Sequence, residues 1–346
     1  MKLSEFYYDL SRELIAQEPL EKRDAARLMV LDRTERTITE KVFSDITDYV
    51  KKGDCLVLND TRVIPARLYG RRKTGGKVEI FLLDLDPKMP AMPEKSFPAC
   101  RALIRPSKRV REGEEIELES GVRATILGPA DAGRFVQFDA SLEEVLRGGH
   151  VPLPPYVSRE ERPEDKDDYQ TVFARKDGAT ASPTAGLHFT GELLEKLDEK
   201  GIKTAYITLH TSYGTFAPVT AENIEEHVIH AEHYEISEEA AHVINDTKAS
   251  GGKVFAVGTT STRAIETAAG KTGRVLPLAG ETDLFIYPGY EFKMTDAVIT
   301  NFHLPGSTLL MLVCAFAGRD LIFKAYRKAM RSGFRFFSYG DAMLII

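Results

Sequence analysis

Two rhythms of apolar and polar positions divide the chain. From about Arg67 to Phe138, apolar residues alternate or come in short bursts: KVEIFLLD, EEIELES, VRATILG and RFVQFDA, parted by Gly, Pro or charged clusters. That rhythm predicts short antiparallel strands forming a small barrel or sandwich. From about Thr190 onward the period lengthens. Helices over Gly191–Lys200, Glu238–Ala249 and Ser261–Ala269 alternate with strands over Lys203–Leu209 and Lys253–Val257, as in an α/β layer. TDLFIYPG and DAVITNF add strands, and Thr308–Ala317 reads as a buried helix. VLDR and CLVLND, near the N-terminus, are strands that join this larger unit. The expected fold is α/β (α+β) with two domains. Residues 1–65 plus 150–346 form the larger α/β domain, and 66–149 form an inserted small antiparallel β-barrel domain.

At 346 residues and 43% apolar content the chain is long enough for two cores. The net charge of −6 does not advertise a nucleic-acid binder. Charge is uneven, however. Arg101, Arg105, Lys108, Arg109 and Arg111 form one basic run, and Arg319, Lys324, Arg327, Lys328, Arg331 and Arg335 a second. Each alone reads as a solvated face; the two together keep a polyanionic partner open. Cys55, Cys100 and Cys314 lie far apart without CxxC spacing and read as reduced core thiols. MKLSEFYYDL has no signal-peptide core, and the run Leu309–Ala317 is too short to span a bilayer. The expectation is a soluble, cytoplasmic protein.

The densest small-residue stretch is GATASPTAGLHFT, Gly178 to Thr190. It is poor core material and suits a backbone wrapped around a ligand. Thr190 is the expected N-cap of the helix that follows. KVFAVGTTSTRAIETA, 253–268, reads as strand, hydroxyl-rich turn and helix, either a simple capped helix or a site for a carboxylate, phosphate or ribose. It lacks the glycine spacings of dinucleotide folds and P-loops. Glu226, His227, His230, Glu232 and His233 cluster without the HExxH order. A proton-handling or hydrogen-bonding role and a metal site both remain open for them. His210 and His303 each follow a strand, where α/β proteins gather ligands.

Nine segments in order carry a resemblance to the S-adenosylmethionine:tRNA ribosyltransferase-isomerase family. They are ELIAQEPLEKRDAARLMVLDR, LVLNDTRVIPARLYG, HVPLPPY, DYQTVFA, PTAGLHFT, EEHVIHAEHYEI, VGTTSTRAIE, DAVITNFHLPGSTLLMLVCAFAG and RFFSYGDAMLI. The sequence departs from the family pattern at Thr180, Ser182 and Gly306, and HTSYGTF stands where HVGAGTF is usual. The resemblance implies an α/β domain with an inserted barrel. It implies transfer of the ribosyl group of S-adenosylmethionine to 7-aminomethyl-7-deazaguanine at the tRNA wobble position. The products are epoxyqueuosine in tRNA, adenine and methionine. S-adenosylmethionine is a co-substrate, with no cofactor and no metal, and the chain is expected to act as a monomer away from membranes.

The chemistry of that reaction assigns candidates. His188, His210, Glu232 and His303 are the expected proton-handling groups, with Asp283 and Asp341 behind them. Gly258, Thr259, Thr260, Ser261 and Arg263 are expected to hold the methionine carboxylate or the ribose. Tyr169, Gln170, Thr171, Thr184, Gly186, Asn301 and Tyr339 complete the expected substrate contacts. An aromatic platform for a flipped base is sought among Tyr156, Tyr169 and Tyr339. Arg101, Arg105, Lys108, Arg109, Arg111, Lys324, Arg327 and Lys328 are expected to meet the tRNA backbone. The rival readings are a metal-dependent hydrolase on His227, His230 and His233, an RNA-binding module without turnover, and a methyltransferase.

Overall fold

The computed structural model describes residues 1–83, 99–130, 132–212, 214 and 219–346. Asp84 at the end of KVEIFLLD, and Tyr213, Thr215 and Phe216 of HTSYGTF, lie outside the described residues. The strands in chain order begin with β1 (Arg27–Asp32), β2 (Thr37–Val42), β3 (Cys55–Asn59) and β4 (Thr61–Val63). Next come β5 (Arg67–Arg72), β6 (Lys77–Leu82), β7 (Ala99–Arg105), β8 (Glu115–Leu118), β9 (Arg123–Pro129) and β10 (Arg134–Phe138). The remainder are β11 (Lys176–Ala179), β12 (Lys203–Leu209), β13 (Glu232–Glu235), β14 (Val254–Val257), β15 (Ala279–Thr282), β16 (Ala297–Asn301) and β17 (Ala342–Ile345). The α-helices are α1 (Leu142–Arg147), α2 (Asp165–Asp168), α3 (Gly191–Glu199), α4 (Glu238–Ala249), α5 (Gly258–Ala269), α6 (Thr308–Ala317) and α7 (Arg319–Arg331).

Among the described residues a nine-stranded sheet runs β15-β13-β12-β3-β14-β16-β17-β1-β2. Its centre, β12, β3, β14 and β16, is parallel, so these four strands end on one edge. Side chains alternate between the two faces of a strand, and here both faces are covered. Leu56, Leu58, Phe255, Val257 and Ile299 pack with Phe189 and with Leu193 and Leu197 of α3 on one face. Cys55, Val57, Val254 and Ala256 meet Ala240 and Ile244 of α4 and Ile265 of α5 on the other. Farther along that second face, Met29, Val298 and Met343 pack under α6 and α7. Burial on both faces explains why the central strands read as continuous apolar runs. The three cysteines are buried free thiols, and burial pushes those of Cys55 and Cys314 up to about 12.

Strands β5 to β10 close into a separate antiparallel barrel in the order β10-β7-β6-β5-β8-β9. Its interior is filled by alternating residues such as Leu68, Ile80, Ala102, Ile116, Ile126 and Val136. The chain enters and leaves the barrel side by side: Arg67 and His150 exchange backbone hydrogen bonds at 3.2 and 2.8 Å. A Cβ on Gly149 would lie 2.0 Å from the Pro65 carbonyl oxygen, so this close approach admits only glycine. No helix among the described residues is long and apolar enough to cross a membrane.

Three sequence expectations change. Helix α5 starts at Gly258 rather than Ser261, so the hydroxyl-rich turn is its first turn. Of the second-half strand expected over TDLFIYPG, only Thr282 belongs to a strand, β15. Arg263 takes the Thr282 and Leu284 carbonyls instead, at 3.2 and 2.9 Å, and among the described residues no ladder partner continues past them. The stretch from Gly178 to Thr190 contains the end of β11 and a 3₁₀ helix over Thr184–His188, with most of its residues buried.

Candidate active site

A cleft opens where the parallel strands end, the usual ligand position in open α/β sheets. It has two adjoining compartments that share Leu309. The first is a cleft of about 650 Å³, counting space open to solvent. It is bordered by Ser182–Ala185, by Gly258–Thr260 at the start of α5, by Thr300–Leu304 after β16, and by Tyr156, Phe337 and Ser338.

The first turn of α5 is built for exposure of its amides. Gly258 has φ +89°, a conformation that favours glycine. The preceding residue is Val257, which offers no side-chain cap, so the free N–H groups of a twelve-residue helix face this compartment. Asn59 ties the neighbouring strand ends together. Its Nδ2 donates to the Leu209 carbonyl at 2.9 Å and to Thr260 Oγ1 at 3.3 Å, while its Oδ1 accepts from the Leu209 N–H at 3.0 Å. Ser182 Oγ and Thr211 Oγ1, both on the compartment wall, are buried and have no hydrogen-bond partner among the described residues. A buried hydroxyl left unsatisfied is costly, and a polar ligand would relieve it.

Two histidines stand here. His303 is buried on the wall, its Nε2 3.0 Å from Thr300 Oγ1 and its N–H donating to the Tyr326 hydroxyl at 2.9 Å. His188 lies behind the wall. Thr184 Oγ1 donates to Asn301 Oδ1 at 3.0 Å, and Asn301 Nδ2 donates to His188 Nε2 at 3.1 Å. The His188 ring packs on Phe43, with centroids 5.0 Å apart. Burial pushes both imidazoles down to about 3, with Arg335 and Arg23 adding to the effect at His188. Both are therefore neutral at pH 7.

The second compartment, about 1200 Å³ counting space open to solvent, is bordered by Ser212, Glu226, His227, His230, Glu232 and Arg263, with Leu284 to Ile286. Arg263 and Glu232 form a buried ion pair. Glu232 Oε1 also accepts the Ser212 N–H at 2.9 Å. Arg263 thus bonds to Glu232 and to two carbonyls of 282–284, which makes it a brace for the wall. Burial, then His230, lower the pKa of His227. Among the described residues no three His, Cys, Asp or Glu side chains converge as a metal-ligand set.

The remaining candidates are scattered. His210 borders neither compartment. Its Nδ1 is 2.7 Å from Thr61 Oγ1, its ring stacks on His233 at 5.9 Å, and burial, then His233, lower its pKa. Tyr169 and Tyr339 pack edge to face in a core with Leu187 and Leu153. Gln170 accepts from the Val63 N–H at 3.0 Å and donates to its carbonyl at 2.7 Å, extending the edge of β4. Thr171 and Phe173 crowd Gly186, where a Cβ would meet each at 2.8 Å. Ser261 is buried within the first turn of α5, and Asp283 is exposed. Asp341 accepts the N–H groups of Arg27 and Arg335 at 3.0 and 2.7 Å. Lys108, Arg109 and Arg111 are exposed on the barrel near Arg72 and Glu114. Arg101 and Arg105 lie on β7. On α7, Lys324 and Arg327 are exposed, whereas Lys328 donates to the Ile38 carbonyl at 3.1 Å. The sequence reading missed Ser182, Thr211, Thr300, Phe337 and Ser338 as wall residues. Small hydroxyls within named motifs were a usable signal for the first three; Phe337 had none.

Comparison with known proteins agrees along the whole length. The family model described as queuosine biosynthesis protein matches residues 3–345. An S-adenosylmethionine:tRNA ribosyltransferase-isomerase of Acetivibrio thermocellus is 52% identical over 351 residues, with both chains fully covered. One of the same name from Caldanaerobacter subterraneus subsp. tengcongensis is 52% identical over 352 residues, again with full coverage of both. The crystal structure of S-adenosylmethionine tRNA ribosyltransferase from Thermotoga maritima is 39% identical, with TM-score 0.55, 99% of this chain and 100% of that chain covered. With its α/β sheet and inserted barrel, the chain belongs to the queuosine biosynthesis family of S-adenosylmethionine:tRNA ribosyltransferase-isomerases.

Proposed function

We propose that this transferase-isomerase moves the ribosyl group of S-adenosylmethionine onto 7-aminomethyl-7-deazaguanine at the wobble position of tRNA. The products are epoxyqueuosine in tRNA, adenine and methionine. The observation that carries this reading is the lining of the first compartment. Free amides of α5 and two orphan hydroxyls suit a carboxylate and a ribose. The described lining holds no Lys or Arg, and its histidine is neutral, so nothing there repels a sulfonium.

The positive sulfur acidifies the protons on the adjacent ribose carbon. A base removes one, and the sugar opens as adenine leaves with a proton supplied to its departing nitrogen by an acid. The neutral aminomethyl nitrogen then attacks, and methionine departs as the epoxide closes. We assign proton removal to His303, which borders the compartment. His188 and Asn301 position Thr184 through their hydrogen-bond chain. We assign to His227, which borders the second compartment and whose pKa burial lowers, the acceptance of a proton from the aminomethyl group. Each step uses proton transfer and the sulfonium's own leaving ability, so we propose no cofactor beyond the co-substrate. The tRNA substrate places the reaction in the cytoplasm, and we propose a monomer.

The test is chromatography of the products formed from S-adenosylmethionine and tRNA bearing the aminomethyl base. Equal release of adenine and methionine, dependent on that tRNA, is expected, with kcat down about 100-fold or more in His303→Gln. Intact S-adenosylmethionine would overturn the reading, and S-adenosylhomocysteine would mark a methyltransferase. For tRNA docking, Lys108, Arg109 and Arg111 are the proposed backbone contacts. Replacing all three by Gln is expected to weaken binding at low salt and to reduce the slope of log K against log salt by about 1 per lost contact. An unchanged slope would remove the barrel patch from the interface.

A further inference from the structure

Phe337 has φ +69°, a left-handed conformation that is strained for a bulky aromatic residue. Its neighbours hold it there. The Phe336 N–H donates to the Leu14 carbonyl at 2.7 Å, and the Ala16 N–H returns a bond to the Phe336 carbonyl at 3.2 Å. The Phe337 N–H donates to the Phe302 carbonyl at 3.2 Å. Beyond it, Gly340 lies so close to the Phe336 backbone that a Cβ would sit 2.5 Å from it, and Asp341 is clamped by two amides. The strain places the Phe337 ring on the wall of the first compartment, 4.8 Å from the ring of Tyr156 and tilted 53° to it. The Tyr156 hydroxyl is fixed in turn by Ser338 Oγ at 2.5 Å.

A tightly held pair of aromatic rings on the wall of a cleft that also carries hydroxyls and amides is a seat for a flat heteroaromatic base. Two such bases take part in the proposed reaction. The base in tRNA is tethered to a polynucleotide, and its ribose and phosphates must stay outside. The adenine of a small diffusible substrate can be enclosed. Phe337 is only 4% exposed, which favours the enclosed occupant. Resting on the S-adenosylmethionine reading of the cleft, we infer that Phe337 and Tyr156 form the seat of its adenine, with the methionine end toward α5. Neither residue takes part in proton transfer; together they set the recognition of the purine.

The experiment measures KM for S-adenosylmethionine and for the modified tRNA separately in Phe337→Leu, which keeps an apolar side chain but loses the flat ring. KM for S-adenosylmethionine is expected to rise on the order of 10- to 100-fold, the loss of one base–aromatic stack, with KM for tRNA unchanged. Because Phe337 is packed, Tyr156→Leu provides the second variant, and thermal unfolding of both checks that they fold. A rise in KM for tRNA alone would hand the seat to the tRNA base and overturn the inference. Unchanged constants in two folded variants would overturn it as well. Failure of the wild-type protein to release adenine would defeat the underlying reading instead, a separate result.

Discussion

Arg263→Ala is expected to cost about 3–5 kcal/mol of folding stability, the penalty for removing one member of a buried ion pair. Glu232 is 4% exposed and Arg263 7%, so water cannot replace the lost partner without opening the wall. The change also strips the Thr282 and Leu284 carbonyls of their donor. Chemical denaturation at neutral pH measures the loss. Combining Arg263→Met with Glu232→Leu removes both charges and is expected to recover part of it. Recovery stays incomplete because the Ser212 N–H and the two carbonyls still lack partners. A loss below about 1 kcal/mol for Arg263→Ala would show a pair no stronger than a surface one, and the brace would not exist.

The second large effect is loss of stability in mild acid. His188 and His303 sit at about 3 in the folded protein, against an ordinary value of about 6.5 in the unfolded chain. Below about pH 6.5 the unfolded chain binds protons that the folded chain refuses. Stability from this source is therefore complete above pH 6.5 and falls as the pH drops toward 3. Each imidazole costs about 2 kcal/mol by pH 5, and the two together about 4, a large share of a typical domain's stability. Denaturation at pH 7 and pH 5 gives the difference, and His303→Gln should remove about half of it. Equal stability at both pH values would mean that both rings titrate as in water and are not buried.

Much of this architecture was legible along the chain because it depends on local periodicity. Strands of the barrel announce themselves by alternation in VRATILG and RFVQFDA. Thr190, with a side chain that accepts the Leu193 N–H at 3.2 Å, was readable as a helix cap from its position alone. The candidate site was less legible. His188, His303, Asn301, Thr184 and Gly258 stood out as chemistry in small-residue motifs, and the fold gathers them at the ends of parallel strands. Arg263 looked equally free, yet its donors face Glu232 and two carbonyls. Its partners lie 19 to 31 residues away, beyond any pattern within the helix.

By itself, then, the sequence determined which segments are strands and helices, the two-part α/β and barrel organisation, and the family. These follow from residue type and spacing, which act over a turn or a strand length. Only the tertiary structure decided which polar groups face the cleft and which satisfy one another in the core. Tyr169 and Tyr339 went to the interior because a second layer of apolar residues covers them. Phe337 reached the wall because Phe302 takes its N–H while Leu14 and Asp341 fix the preceding Phe336 and Arg335, which holds it in a conformation that no local preference would choose. A hydrogen-bond partner or an enforced dihedral is a property of chain segments brought together in space, and local periodicity does not encode it.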